Sequence, residues 1–281
     1  MMIMKGINCM AQIISEKQDL TWLSWTKIRE SSGTAGSFMK AYSDLSGKKI
    51  YYKLSNYNAS DGIIGHECVN EIIADRLLTI LGIEHLSYQL IRADILIDGQ
   101  KTETWLCASE DFKQYGDSKM TLETYYQQER LPRESALDFC IRQGWSEYIW
   151  KMLITDYLIL NRDRHGANIE VLRNRVNRTI RLAPLFDHGL SFVCRCTTEE
   201  ELAQFDVMKD LRVQCFAGGS SAWENLKLIP KGSRPVLGLL KAEDKSRLFD
   251  GLEDALPEAW REKIWDMIWM RWNAYADLCH S

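Results

Sequence analysis

The sequence predicts an α+β fold with two lobes, a β-rich N-terminal lobe and a mainly helical C-terminal lobe. Short apolar segments separated by turns rich in Gly, Ser and Asp dominate the N-terminal part, and this pattern is typical of strands. From residue 109 onward the apolar residues follow helical spacing instead. We therefore place the lobe boundary at this change, with lobes at residues 1–108 and 109–281.

The composition predicts a globular chain with a full core. Of the 281 residues, 46% are hydrophobic, 26% are charged and only 5 are Pro, so extended disorder is not expected. The formal net charge of −4 argues against direct nucleic-acid binding. The most apolar long segment, residues 145–160, is interrupted by Glu147, Lys151 and Asp156, so we expect no transmembrane segment.

The cysteine pattern predicts a reducing compartment. The chain has eight cysteines, and none of them form the paired spacing of a zinc site. We expect reduced and mostly buried thiols, as is usual for free cysteines inside cells. The N-terminus has no sustained apolar segment of the kind found in secretory signals. These features together predict a cytoplasmic protein.

The first candidate functional segment is a loop of small residues at 31–37. Two strands separated by a tight turn are predicted to follow it, within residues 38–54. Glycines allow backbone N–H groups to approach phosphate oxygens closely, so Gly33 and Gly36 are candidate phosphate contacts, and Ser37 adds a hydroxyl donor. A loop of this composition is also common where no ligand binds.

Lys53 and a helix glutamate form the next candidate pair. Lys53 ends the second predicted strand, where it either reaches inward to phosphates or points to solvent. Residues 66–82 are predicted to form an amphipathic helix that ends at Gly82. Glu67 and Glu71 both lie on this helix, and Glu71 is the better partner for Lys53 because apolar positions flank it.

The rest of the chain supplies one more hairpin in the N-terminal lobe and then mostly helices. Asp98-Gly99 is a strong hairpin turn, and a second hairpin is expected just after the helix that ends near residue 160. A tryptophan-rich helix is expected to pack the C-terminal lobe. The predicted segments are strands at 87–97 and 104–108, helices at 121–129, 135–143, 145–160, 197–209 and 257–278, and a hairpin at 169–183.

The segment 161–191 carries the strongest chemical signal. Asp163 and Asn168 precede the predicted hairpin at 169–183, and Asp187 follows it with a glycine two residues later. The hairpin is expected to bring Asp187 back near Asn168. Carboxylate and amide oxygens suit Mg²⁺, so Asn168 and Asp187 are candidate metal ligands, and Asp163 is the candidate residue that orients an attacking hydroxyl.

His165 is a second candidate catalytic residue in this loop. Its side chain either contacts a phosphate or supports the loop, and the sequence favours neither interpretation. Asp163 and Asn168 could also be ordinary turn residues, since Asp and Asn often cap turns. The combination of D-x-x-x-x-N, a hairpin and D-x-G is much less common than a polar turn, and it favours phosphoryl transfer from ATP.

These motifs resemble a known kinase family. The residues NRDRHGAN at 161–168 and LAPLFD at 182–187 resemble the HipA-type serine/threonine kinases of bacterial toxin–antitoxin systems. The Asp-Arg-His-x-x-Asn core is also similar to the phosphatidylinositol 3/4-kinase signature. The resemblance implies a two-lobed kinase fold that uses ATP and Mg²⁺. It also implies that Asp163 is the catalytic aspartate, Asn168 and Asp187 are metal ligands and Lys53 is the ATP lysine.

The resemblance further implies autophosphorylation in the small-residue loop and an antitoxin-like partner. Ser32 is the match for the phosphorylated serine, with Ser31 and Ser37 as rivals. The loop resembles the family pattern only loosely, and the chain is shorter than typical members and lacks a match to their N-terminal subdomain. We therefore expect a protein substrate, with a lipid or small-molecule kinase as the alternative enzyme and a pseudokinase interaction module as the non-enzymatic alternative.

Overall fold

A computed structural model describes residues 11–28, 35–45 and 47–280, and it confirms the α+β class. The N-terminal part holds eight described strands and one helix. Their bounds are β1 (Gln12–Asp19), β2 (Thr26–Ile28), β3 (Ala35–Leu45), β4 (Lys48–Leu54), β5 (Tyr57–Asn58), β6 (Gly62–Ile63), α1 (Glu67–Leu81), β7 (Gln89–Ile97) and β8 (Gln100–Glu110).

Six of these strands form one sheet in the order β1-β7-β8-β4-β3-β2. β1 runs parallel to β7, and all other neighbours in this sheet are antiparallel. The sequence analysis missed β1, because its residues QIISEKQD show no regular alternation of apolar and polar side chains. The strand is instead stabilised by pairing with a distant segment, in which Gln12 lies opposite Gln89.

The predicted loop at 31–37 is shorter than expected. β3 begins at Ala35, which lies opposite Ile28 of β2, so Gly36 and Ser37 belong to a strand instead of a loop. Backbone pairing with β2 explains the difference, since sheet hydrogen bonds can hold small residues that have low strand propensity by themselves. Gly33 and its neighbours at 29–34 lie outside the described residues.

The predicted turns in the N-terminal part are confirmed. Asp98 and Gly99 join β7 and β8 with φ values of 50° and 77°, the left-handed conformations that a two-residue hairpin turn requires. Helix α1 ends at Gly82, which has φ 68° and donates its N–H to the carbonyls of the last turn.

The C-terminal part is mainly helical and contains a small sheet with the order β12-β11-β9. β10 and β13 form a separate parallel pair. The elements are β9 (Asp117–Thr121), α2 (Leu122–Glu129), α3 (Ala136–Arg142), α4 (Ser146–Leu158), β10 (Asp163–Arg164), β11 (Glu170–Asn174), β12 (Thr179–Leu182), α5 (Glu199–Gln204), β13 (Gln214–Cys215), α6 (Ala222–Leu226), α7 (Asp244–Phe249) and α8 (Glu258–His280).

One predicted helix is much shorter than expected. The acidic segment 197–209 forms a helix only over Glu199–Gln204. Thr198 begins the helix by accepting a hydrogen bond from the Glu201 N–H, and the chain becomes extended at Phe205. The segment is acidic at its first turn and lacks the apolar stripe that would extend the helix by packing.

The larger hydrophobic core joins α1 to the helices of the C-terminal part, and a smaller core covers the other face of the six-stranded sheet. The larger core contains residues of α1 and of the C-terminal helices, so it crosses the predicted boundary after residue 108. The division into two lobes at that residue stays a prediction. None of the described helices is both long and apolar enough to span a bilayer. The seven cysteines within the described residues are all free thiols.

Candidate functional site

The site is organised around Lys53, which links the sheet to α1 and to the segment after β12. Lys53 lies on β4 and its side chain is buried. Its Nζ lies 2.7 Å from Glu71 Oε1 and 2.5 Å from Asp187 Oδ1. The structure therefore brings together the predicted pair of Lys53 and Glu71 with the predicted metal ligand Asp187, which lies far away in the chain.

Two carboxylates act on the Lys53 ammonium group. Burial disfavours its charged form, but Asp187 and Glu71 outweigh that effect and raise the pKa of Lys53 well above its usual value. Lys53 therefore stays protonated while it contacts both carboxylates.

Glu71 is the helix glutamate that contacts Lys53, and Glu67 has a different role. The second oxygen of Glu71 accepts a hydrogen bond of 2.8 Å from the His188 backbone N–H, so this carboxylate also holds the segment after Asp187. Glu67 Oε2 accepts a hydrogen bond from Asn56 N–H instead. The sequence preference for Glu71 is therefore consistent with the geometry.

Asp163, Asn168 and His165 lie together after the end of α4. The Asn168 side-chain amide donates to the Asp163 backbone carbonyl at 2.8 Å and to Asp163 Oδ2 at 3.2 Å. His165 Nδ1 accepts the Ala167 N–H, and its Nε2 lies 3.3 Å from Asp163 Oδ1. A neutral His165 ring therefore carries its proton on Nε2, on the side of the Asp163 carboxylate.

Arg164 holds this loop in place, and the sequence analysis did not identify it as important. Its side chain is 1% exposed and forms several hydrogen bonds with Asp156 of α4, at 3.0–3.2 Å. Its Nη1 donates to the Phe186 carbonyl at 2.7 Å, next to Asp187. Arg164 thus fixes the loop of Asp163 relative to Asp187. No sequence signal separates a buried arginine from an exposed one in a polar motif.

The β11–β12 hairpin places Asn168 and Asp187 on the same cleft. β11 begins two residues after Asn168, and β12 ends five residues before Asp187. Both residues line the cleft below the sheet, together with Lys53. Asp187 has a positive φ of 61°, a strained conformation for a residue other than glycine, which occurs often at functional sites.

The roof of the cleft is a row of residues on four adjacent strands. Cys107, Lys53, Lys40 and Thr26 lie opposite one another in the sheet and all line the cleft. Lys40 is a second cleft lysine that the sequence analysis missed. It could have been found from the β3–β4 hairpin register, since the turn fixes which residue lies opposite Lys53.

Aromatic side chains form the outer walls of the cleft. Phe112 and Phe186 lie with their ring centroids 5.9 Å apart, and Tyr51 lines the same space. Lys119 lies 5.5 Å from the Tyr51 ring and 5.8 Å from the Phe112 ring. Flat aromatic surfaces near a polar interior could accommodate a nucleobase, with the phosphates directed toward Lys53.

The predicted phosphate-binding loop contributes less to the described site. Gly36 and Ser37 lie on β3, between the cleft residue Lys40 and the end of the strand at Ala35. Gly33, Ser31 and Ser32 lie outside the described residues. The proposed roles of these loop residues therefore stay predictions.

The donor set fits Mg²⁺ better than a transition metal. Within the described ranges, no three His, Cys, Asp or Glu side chains converge as a metal centre would require. Mg²⁺ usually takes only one or two protein carboxylates and completes its shell with phosphate oxygens and water. Asp187 and Asn168 provide a carboxylate and an amide oxygen of this kind, and both line the cleft.

Comparison with solved structures shows a likeness to a kinase. The chain is similar to a Helicobacter pylori proinflammatory kinase, CtkA, with a TM-score of 0.53 and 15% sequence identity. The match covers 91% of this chain and 93% of that chain, so it includes both the six-stranded sheet and the helical part. No protein-family model and no curated protein matches this sequence. The likeness shows a kinase-like fold.

Proposed function

We propose that this protein is an ATP- and Mg²⁺-dependent kinase that transfers the γ-phosphate to a serine or threonine hydroxyl on a protein. The contact of Lys53 with both Glu71 and Asp187 carries the proposal. A strand lysine, a helix glutamate and an aspartate before a glycine form the same functional arrangement in protein kinases. The kinase-like fold is consistent with this assignment, and Lys53 and Asp187 both line the cleft below the six-stranded sheet.

Each residue has a distinct role in the proposed reaction. Lys53 binds phosphate oxygens, and Glu71 keeps its ammonium group directed into the cleft. Asp163 orients the acceptor hydroxyl and takes its proton while the hydroxyl oxygen bonds to the γ-phosphorus and ADP leaves. Asn168 hydrogen-bonds to the Asp163 carboxylate and His165 Nε2 lies 3.3 Å from it, so both side chains restrict its direction.

Asn168 and Asp187 would hold the metal ion. When bound, Mg²⁺ would supply positive charge to the β- and γ-phosphate oxygens. Autophosphorylation at Ser31, Ser32 or Ser37 belongs to the same proposal, since these serines lie in or beside the segment that joins β2 to β3.

The decisive experiment is transfer of label from γ-labelled ATP in the presence of Mg²⁺. We expect the wild-type protein to label itself or an added protein, and Asp163→Ala to reduce the rate roughly 10²–10⁴-fold, the usual effect of losing a general base. Asp254→Ala is the matched control, because Asp254 is an exposed aspartate far from the cleft in sequence. It should transfer label at the wild-type rate.

The same assay separates the alternatives. No label transfer together with no thermal stabilisation by ATP would contradict any kinase function. Stabilisation by ATP without transfer would favour a pseudokinase. Label recovered only in added lipid or small-molecule acceptors would favour the second enzymatic function, which the Asp-Arg-His-x-x-Asn core at residues 163–168 keeps open.

A further inference from the structure

Cys68 and Cys107 are two buried thiols that meet at one backbone atom. The Cys68 thiol donates to the Lys53 carbonyl oxygen at 3.0 Å, and Cys107 Sγ lies 3.9 Å from the same oxygen. The distance between the two sulfur atoms therefore cannot exceed the sum of these two distances. A hydrogen bond with Cys68 and burial both raise the pKa of the Cys107 thiol well above its usual value, which agrees with a direct contact.

Backbone pairing sets the positions of both thiols. Cys107 lies on β8, directly opposite Lys53 of β4 in the antiparallel register. Cys68 lies in the first turn of α1, and its N–H donates to Ser55 Oγ, just after the end of β4. The two cysteines thus come from different elements, and each element is anchored beside Lys53.

Only one of the two thiols borders the cleft. Cys107 lines the cleft together with Lys53, whereas Cys68 lies behind it in the larger core. A small polar oxidant such as hydrogen peroxide, once inside the cleft, meets Cys107 before Cys68. Cys68 is then the nearby thiol that can react with an oxidised Cys107.

We propose that Cys68 and Cys107 form a reversible disulfide when hydrogen peroxide enters the cleft. The Cys107 thiolate attacks one peroxide oxygen, the O–O bond breaks, and a sulfenic acid and water form. The Cys68 sulfur then attacks the Cys107 sulfur, the S–O bond breaks, and a second water leaves. Each thiol loses one hydrogen and the peroxide is reduced to two waters. This inference does not depend on the proposed kinase function.

The disulfide would link α1 to β8 beside the Lys53–Glu71 contact. Glu71 follows Cys68 by three residues, so both lie on one side of α1. The two sulfurs must approach to about 2 Å, so both side chains must turn away from the Lys53 carbonyl. Inside cells such bonds are usually transient and serve redox sensing. The cysteine pair thus makes the surroundings of Lys53 sensitive to oxidation.

Peptide mapping of the full chain after treatment with hydrogen peroxide tests the proposal. Trypsin places Cys68 in the peptide 54–76 and Cys107 in the peptide 102–113, and neither peptide holds another cysteine. We expect these peptides to be joined at least about tenfold more often in native protein than in protein oxidised in urea, where pairs closer in sequence, such as Cys194 and Cys196, close more readily. Dithiothreitol should separate them.

Two variants test the order of the steps. In Cys68→Ser the Cys107 sulfenic acid has no partner thiol, so dimedone should label Cys107 several-fold more than in the wild type. Cys140→Ser is the matched control, because Cys140 is a fully buried cysteine of the same core that does not line the cleft. This control should give the joined peptides in the wild-type yield.

Three outcomes would overturn the proposal. The first is equal yields of the joined peptides in native protein and in urea. The second is their absence from native protein at a peroxide dose that oxidises the exposed Cys279. The third is equal dimedone labelling of Cys107 in the wild type and in Cys68→Ser. The first two comparisons use the unsubstituted chain, so they remain decisive if a variant fails to fold.

Discussion

Arg162 and Arg164 are two residues apart, yet their surroundings are opposite. Arg164 donates to both carboxylate oxygens of Asp156 and to the Phe186 carbonyl, so its charge and donors are satisfied. Arg162 has a buried Nε with no partner among the described residues. The difference teaches that Arg164 holds the loop of Asp163 through its ion pair, whereas the side chain of Arg162 forms no ion pair with the described residues.

Lys53 differs from both arginines. It pairs with two carboxylates, those of Glu71 and Asp187, whereas Arg164 pairs with the carboxylate of Asp156. Lys53 therefore links α1 to the segment after β12, whereas Arg164 links the loop of Asp163 to the preceding helix α4.

Arg164→Ala should give the largest effect on stability. The variant leaves Asp156 buried without its cation, so we expect the free energy of unfolding to fall by about 3–5 kcal/mol. Urea unfolding followed by circular dichroism measures the change. Arg164→Lys is the control that keeps the charge but loses the planar fork, and it should fall between the wild type and Arg164→Ala. A loss below about 1 kcal/mol would show that Arg164 does not organise the loop.

Lys53→Met should affect both transfer and folding. We expect the rate of label transfer to fall roughly 10²–10³-fold, since a fixed positive charge beside the phosphates is lost. The unfolding free energy should also fall, because Glu71 is fully buried and loses its cation. Lys48→Met on the same strand is the control, as Lys48 is exposed and pairs only with Glu110 among the described residues. Near-wild-type transfer by Lys53→Met would contradict the assigned role.

His66 differs from the two arginines, because a histidine can lose its proton near neutral pH and an arginine cannot. Burial lowers the pKa of His66 to about 4. The unfolded chain therefore binds a proton at higher pH than the folded protein, and stability falls as the pH drops below about 6.5. Between about pH 7 and about pH 5 we expect His66 to contribute a loss of at most about 2 kcal/mol. Urea unfolding of His66→Gln across this range should show a smaller slope with pH, and parallel curves would contradict the prediction.

Arg162→Ala should have the smallest effect on stability. It breaks no ion pair or side-chain hydrogen bond among the described residues, so we expect the unfolding free energy to change by less than about 1 kcal/mol. Urea unfolding beside Arg164→Ala tests this directly. If both variants were equally destabilised, the contrast between the two arginines would be wrong.

The sequence allowed prediction of the contacts around Lys53, because a buried strand lysine needs carboxylate partners. Glu71 was predicted as its partner, and the structure shows this contact together with a second one to Asp187. The helix stop at Gly82 and the Asp98-Gly99 turn were also predictable, since left-handed conformations favour few residue types.

The remaining features depend on tertiary contacts that no local pattern records. Arg162 and Arg164 are the same residue type within one motif. Only Arg164 packs against α4, where it forms an ion pair with Asp156. Gly36 and Ser37 have the composition of a loop but lie within strand β3. β1 was missed for the same reason, since its partner lies far along the chain.

The parallel pairing of β1 with β7 has a consequence for synthesis of the chain on the ribosome. β1 is among the first described segments to emerge, but Gln12 cannot meet Gln89 until β2 to β6 and α1 have followed. At a synthesis rate of about 5–20 residues per second, this strand waits for several seconds with its backbone groups unpaired. A nascent chain stalled before β7 emerges should therefore expose β1 to chaperones and proteases, and one stalled well beyond β8 should protect it.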